Sequence, residues 1–168
     1  GTLGNSTTIS SLTPVFVTGI STATTVSAAR GHTCASLASG TVQCWGDNTY
    51  GELGDGSTIS RSAPVNVSGL TGVIAVEVAA FGGCALLGSG TVMCWGVNGS
   101  GQLGDGTTTD SMTAVSVTGV SGVTALTTGA GHACALQSDA TVQCWGDNTY
   151  GQLGDGTTTH RSRAVSVS

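Results

Sequence analysis

Residues 34–58 read CASLASGTVQCWGDNTYGELGDGST, and the same pattern returns fifty residues later and again at one hundred. Cys34, Cys84 and Cys134 share one phase, as do Cys44, Cys94 and Cys144. So do Trp45, Trp95 and Trp145, then Leu53, Leu103 and Leu153. The residues from Gly1 already run in the phase of Gly51. The 168-residue chain therefore divides into repeats 1–50, 51–100 and 101–150 and the start of a fourth, 151–168. A repeat of this length is usually one supersecondary unit that stacks on its neighbours because it cannot bury its apolar face alone.

Within the unit from Gly51, Pro64-Val65-Asn66-Val67-Ser68 alternates apolar and polar residues, the period of a strand with one buried face. After Gly69 to Gly72, Val73 to Ala79 reads as a second strand, Cys84 to Leu87 as a third and Thr91 to Trp95 as a fourth. Gly-rich turns join them, and no period of 3.6 residues appears. The expected fold is all-β, built of four-stranded antiparallel meanders. That unit is the blade of a β-propeller, which typically has about four to eight blades. A β-solenoid repeats over about 20–30 residues and fits less well. Three blades do not close a ring.

Cys34 and Cys44 flank a hairpin whose loop is Ala38-Ser39-Gly40, a length that suits a type I turn followed by a left-handed residue. That register pairs Leu37 with Thr41 and sets Cys34 opposite Cys44, close enough for a disulfide. The expected bridges are Cys34–Cys44, Cys84–Cys94 and Cys134–Cys144. In the third unit Ala140 takes the position where glycine is favoured. The alternative, a metal site, lacks the close cysteine spacing of zinc knuckles and has no histidine pair in every copy. Structural disulfides imply an extracellular or cell-surface setting.

Charged residues are 8% of the chain, against roughly 25% in an average domain. There is no lysine, and Arg30, Arg61, Arg161 and Arg163 supply all the side-chain cations against a net charge of −5. Nucleic acid is therefore not an expected partner, because that affinity rests on Lys and Arg. No apolar run is long enough for a membrane-spanning helix. The chain does not begin with Met and shows no signal peptide, which reads as a processed or excised piece.

No catalytic constellation recurs, so no enzyme, cofactor or metal is expected. His32 and His132 precede a cysteine by two residues and read as hydrogen-bonded strand residues; His160 is the only other histidine. Asp47-Asn48 and Asp147-Asn148 lack the calcium-loop pattern and read as turn caps. Trp45, Trp95 and Trp145 read as packing between repeats, with Leu53, Leu103 and Leu153, in preference to a carbohydrate platform. Asn5, Asn66 and Asn98 begin N-glycosylation sequons.

The blocks Gly31-His32-Thr33-Cys34-Ala35, Gly40-Thr41-Val42-Gln43-Cys44-Trp45-Gly46 and Gly51-Glu52-Leu53-Gly54-Asp55-Gly56 resemble the repeat of the regulator of chromosome condensation family. The version with two cysteines per repeat is similar to that of secreted or surface-exposed bacterial members. The resemblance implies a seven-bladed propeller, its final blade often completed by strands from both termini. It implies functions as diverse as nucleotide exchange on a nuclear GTPase, chromatin binding, β-lactamase inhibition and other protein interactions. Acidity and disulfides disfavour the first two. The expected role is an extracellular, self-assembling structural module (a fibre, sheath or adhesin-like scaffold) whose partners are copies of itself or further repeats. The alternative is part of a closed propeller that binds a protein or glycan.

Overall fold

The computed structural model describes residues 1–168, which form twelve strands and no helix. β1 (Ala23–Ala28), β2 (His32–Leu37), β3 (Val42–Gly46) and β4 (Arg61–Asn66) make the first sheet, paired in chain order. β5 (Val73–Ala79), β6 (Gly82–Leu87), β7 (Val92–Gly96) and β8 (Ser111–Ser116) make the second. β9 (Val123–Thr128), β10 (His132–Gln137), β11 (Val142–Gly146) and β12 (Arg161–Ser166) make the third.

Each sheet has a disulfide-linked hairpin as its two central strands. Leu37 N–H donates to Thr41 O at 2.9 Å, and Gly40 and Ala140 both take the left-handed conformation, with φ of 78° and 67°. Cys34 lies opposite Cys44, Cys84 opposite Cys94 and Cys134 opposite Cys144. All three pairs are disulfides, with Cα atoms 4.0–4.1 Å apart.

The grouping of strands differs from the meander read from Gly51. Arg61–Asn66 pairs with β3 of the preceding sheet, and the second sheet is completed by Ser111–Ser116. The fifty-residue period sets the spacing of strands but not which connection stays within a sheet. The long segment 47–60 folds back to the same sheet, whereas the short segment 67–72 crosses to the next. Residues 161–166 are correspondingly the outer strand of the third sheet.

The sheets fan about their first strands: β1 and β2 touch β5, and β5 and β6 touch β9. Two cores fill the wedges. Val42 and Cys44 of the first sheet meet Val76, Val78 and Trp95 of the second around Leu53. Leu86 and Val92 of the second meet Val123 and Trp145 of the third around Leu103. The result is an open arc of three blades.

Candidate functional site

The long loop of each blade is organised by one buried asparagine. Asn48 Nδ2 donates to Ser57 O at 3.0 Å, Ile59 O at 3.2 Å and Asp55 Oδ1 at 3.3 Å, while its Oδ1 accepts Leu53 N–H at 2.9 Å. Asn98 and Asn148 repeat this set and, like Asn48, are fully buried. The residue does more than cap a turn, because it joins both ends of the loop and delivers Leu53, Leu103 or Leu153 to the base of the wedge. In the folded chain the Asn98 amide nitrogen is enclosed and hydrogen-bonded. Asn66 is exposed and Asn5 half-buried.

The same loop forms the junction with the next blade. Trp95 Nε1 donates to Glu52 O at 2.8 Å, Trp145 Nε1 to Gln102 O at 3.0 Å and Trp45 Nε1 to Thr2 O at 3.1 Å. The indole lies flat on a glycine: a Cβ at Gly54, where φ is +64°, would sit 2.9 Å from Trp95 Cδ1. Residues 1–4 thus hold Trp45 as the corresponding loops hold Trp95 and Trp145.

His32 adds a second tie, its buried Nε2–H donating to Gly82 O of the next blade at 3.2 Å. Burial holds its pKa below the ordinary value, against the opposing pull of the Gly82 bond, Glu52 and Asp47. At the second junction Gly82 stands in place of the imidazole. His160 Nδ1 instead accepts Asn148 N–H at 3.0 Å, as Ser60 and Asp110 do in the other loops. The hydroxyls of Thr49, Thr149 and Thr157, with further loop donors, hold the carboxyls of Asp47, Asp147 and Asp155 low, Asp155 at about 2.

Unfolded, such groups titrate near their ordinary values, about 6.5 for His and 3.9 for Asp. All four folded values lie below these, so between the two values the unfolded chain binds more protons and stability rises with pH. The His32 contribution should be fully present above about pH 7 and be lost as pH drops from about 6.5 through the His32 value, and that of the three carboxyls should be lost below about pH 4. Urea unfolding across this range measures both. In His32→Gln the upper decline should vanish while the lower one stays.

Both ends of the arc leave a blade face open. Val26 is 68% exposed, whereas Val76, its counterpart in the second blade, is 1% exposed. Leu136 and Val142 are 41% and 38% exposed, whereas Leu86 and Val92, fifty residues earlier, are 2% and 1%. The third blade's face forms a shallow apolar hollow with Leu126, Cys134 and Ala135. No group of histidine, cysteine or carboxylate side chains is placed to hold a metal ion, and no helix is long and apolar enough to cross a membrane.

Sheets fanned about their first strands, each held to the next through a tryptophan on a glycine loop, define the blades of a β-propeller. The chain belongs to the regulator of chromosome condensation (RCC1) repeat family, whose model matches residues 23–52, 73–102 and 123–152. A second model of that repeat matches residues 39–86. The crystal structure of human WBSCR16 superposes with a TM-score of 0.77 at 23% identity, covering 87% of this chain and 39% of that one. Prp20p from Saccharomyces cerevisiae, described with its binding properties to Gsp1p and histones, gives 0.76 at 14% identity over 89% and 39%. Yeast RCC1 (Prp20) bound to Kap60 gives 0.74 at 14% identity over 89% and 38%. At these identities the likeness is one of fold, and the chain spans about two fifths of the length of these structures. No curated protein matches it in sequence.

Proposed function

We propose that this chain is an arc of an extracellular, disulfide-stapled propeller that binds a partner, its two open faces completed by further blades of the same repeat. The observation that carries the reading is the pair of open faces. The residues exposed there are the fifty-residue counterparts of residues buried at the two internal junctions. The superposition on WBSCR16 over 87% of the chain supports a ring, because three blades superpose only if their successive rotations agree. Prp20p, with its binding to Gsp1p and histones, and the Kap60 complex support a protein-binding role for this architecture. Three disulfides are consistent with an oxidising setting outside the cell. Binding is favoured over catalysis because no nucleophile with its base recurs.

The second reading is a self-assembling fibre or scaffold, favoured by the complementarity of the two faces. In such an array the contact is head to tail, which closes into a ring or runs on as a helix according to the rotation. Light scattering and electron microscopy of the isolated 168-residue chain test both readings. The chain is expected to associate with rising concentration, and Leu136→Glu with Val142→Glu should weaken association more than about a hundredfold by placing charges on the apolar face. Curved or closed particles support the first reading and helical polymers the second. A monomer at every concentration would sink the second reading.

A further inference from the structure

In an array of near-copies, the residues that break the pattern are informative. Arg30 stands where the other units have Ala80 and Ala130, Glu52 where they have Gln102 and Gln152, and Phe81 where they have Gly31 and Gly131. These three departures are 22 to 51 positions apart in sequence, yet they line one groove on the rim between the first and second blades. Its volume is about 480 Å³, and His32, Asp47 and Tyr50 are also among its lining residues. The corresponding space between the second and third blades is about 20 Å³.

The groove has an apolar wall and a polar wall. Tyr50 and Phe81 are both exposed and meet edge to face with ring centroids 5.6 Å apart. In the third blade Gln152 Oε1 accepts Tyr150 N–H, and Gln152 Nε2 donates to Asp147 Oδ2 at 3.0 Å. In the first blade Glu52 Oε2 accepts Tyr50 N–H at 2.8 Å, but its second oxygen has replaced the donor. Asp47 receives Thr49 and Ser60 on Oδ1, which leaves Oδ2 and Glu52 Oε1 without a donor from the protein. Arg30, across the groove, forms no ion pair.

We infer that this groove is a binding site for a neutral carbohydrate, in which one of the two perpendicular rings, Tyr50 or Phe81, stacks on the C–H face of a pyranose and the other bounds its edge, while Asp47, Glu52 and Arg30 bond its hydroxyls. The mixed charge selects the class. An anionic ligand such as a phosphate meets two carboxylates, and a cationic one, a donor only, leaves the Arg30 guanidinium without an acceptor. A sugar hydroxyl both donates and accepts, so it satisfies the carboxylate oxygens and the guanidinium together. Pockets of about 300–1,000 Å³ take small ligands, so the volume admits one or two sugar rings. The inference narrows the binding reading above to a glycan, and it does not depend on how the arc is completed.

The test uses the variant Arg30→Ala, Glu52→Gln, Phe81→Gly, which gives the groove the residues that the other two units already tolerate. Wild type and variant are passed over a panel of immobilised neutral oligosaccharides of the cello-, N-acetylchito-, manno- and galacto-series, with acidic and amino-sugar oligosaccharides as charged probes. The wild type is expected to retain at least one glycan, with affinity reduced by about tenfold or more in the variant and by Tyr50→Ser alone. Both variants should keep the wild-type melting profile and light-scattering behaviour, which separates loss of the site from loss of the fold or of the open faces. No retention by the wild type, equal retention by the triple variant, or capture only of charged probes would overturn the assignment.

Discussion

Reduction and alkylation of the six cysteines is expected to unfold the chain at 37 °C. Each disulfide closes a loop with a sequence separation of 10 residues. In the chain-entropy account a loop of that size contributes about 2.7 kcal/mol. Three bridges then contribute on the order of 8 kcal/mol, comparable to the whole stability of a typical domain. The two ends of the arc add to this dependence, because each lacks the cover that a neighbouring blade would provide. Circular dichroism of the reduced, alkylated chain should show the strand signal lost, and urea titration of Cys84→Ala with Cys94→Ala should show about a third of the total effect. A reduced chain that melts within a few degrees of the oxidised one would refute the account.

Among single substitutions, Asn98→Asp is expected to cost the most, about 4 kcal/mol. The change is isosteric, so it leaves no cavity. It puts an oxygen where the Nδ2 group donates to Thr107 O, Thr109 O and Asp105 Oδ1, and all of these are acceptors. The site is fully buried, so water cannot replace the lost donor. Scaled by the entropy of unfolding, the melting temperature should fall by about 10 °C or more. Asn66→Asp, at an exposed strand end, should move it by no more than a degree or two. A near-neutral Asn98→Asp would show that the loop is held by its turns alone.

The sequence made some of this legible and concealed the rest for definite reasons. The cysteine pairing was readable because Ala38-Ser39-Gly40 fixes the register of strands adjacent in the chain. The blade as a unit was readable from the period. The frame was not, since segments 47–60 and 67–72 both carry glycine turns, and only the bonds made by Asn48 show which one returns to its own sheet. Asn98 carries both a sequon and this internal role, and the three-residue motif contains nothing about burial. The groove was hidden most completely. Arg30, Glu52 and Phe81 each look like isolated drift in a repeat, and the stacking of two sheets is what brings them together.

The fit of Trp95 against the Gly54 loop bears on how such a gene changes. Each blade offers a glycine loop to the blade after it and a tryptophan to the blade before it. Recombination that inserts or removes one whole copy therefore preserves every junction, and blade number is free to drift through unequal crossing-over. The rim groove is the exception. Arg30 and Glu52 lie in one sheet and its connection, and Phe81 lies in the next. A crossover between those two copies would part them, so the pair should be inherited as a linked block inside an otherwise shuffled array.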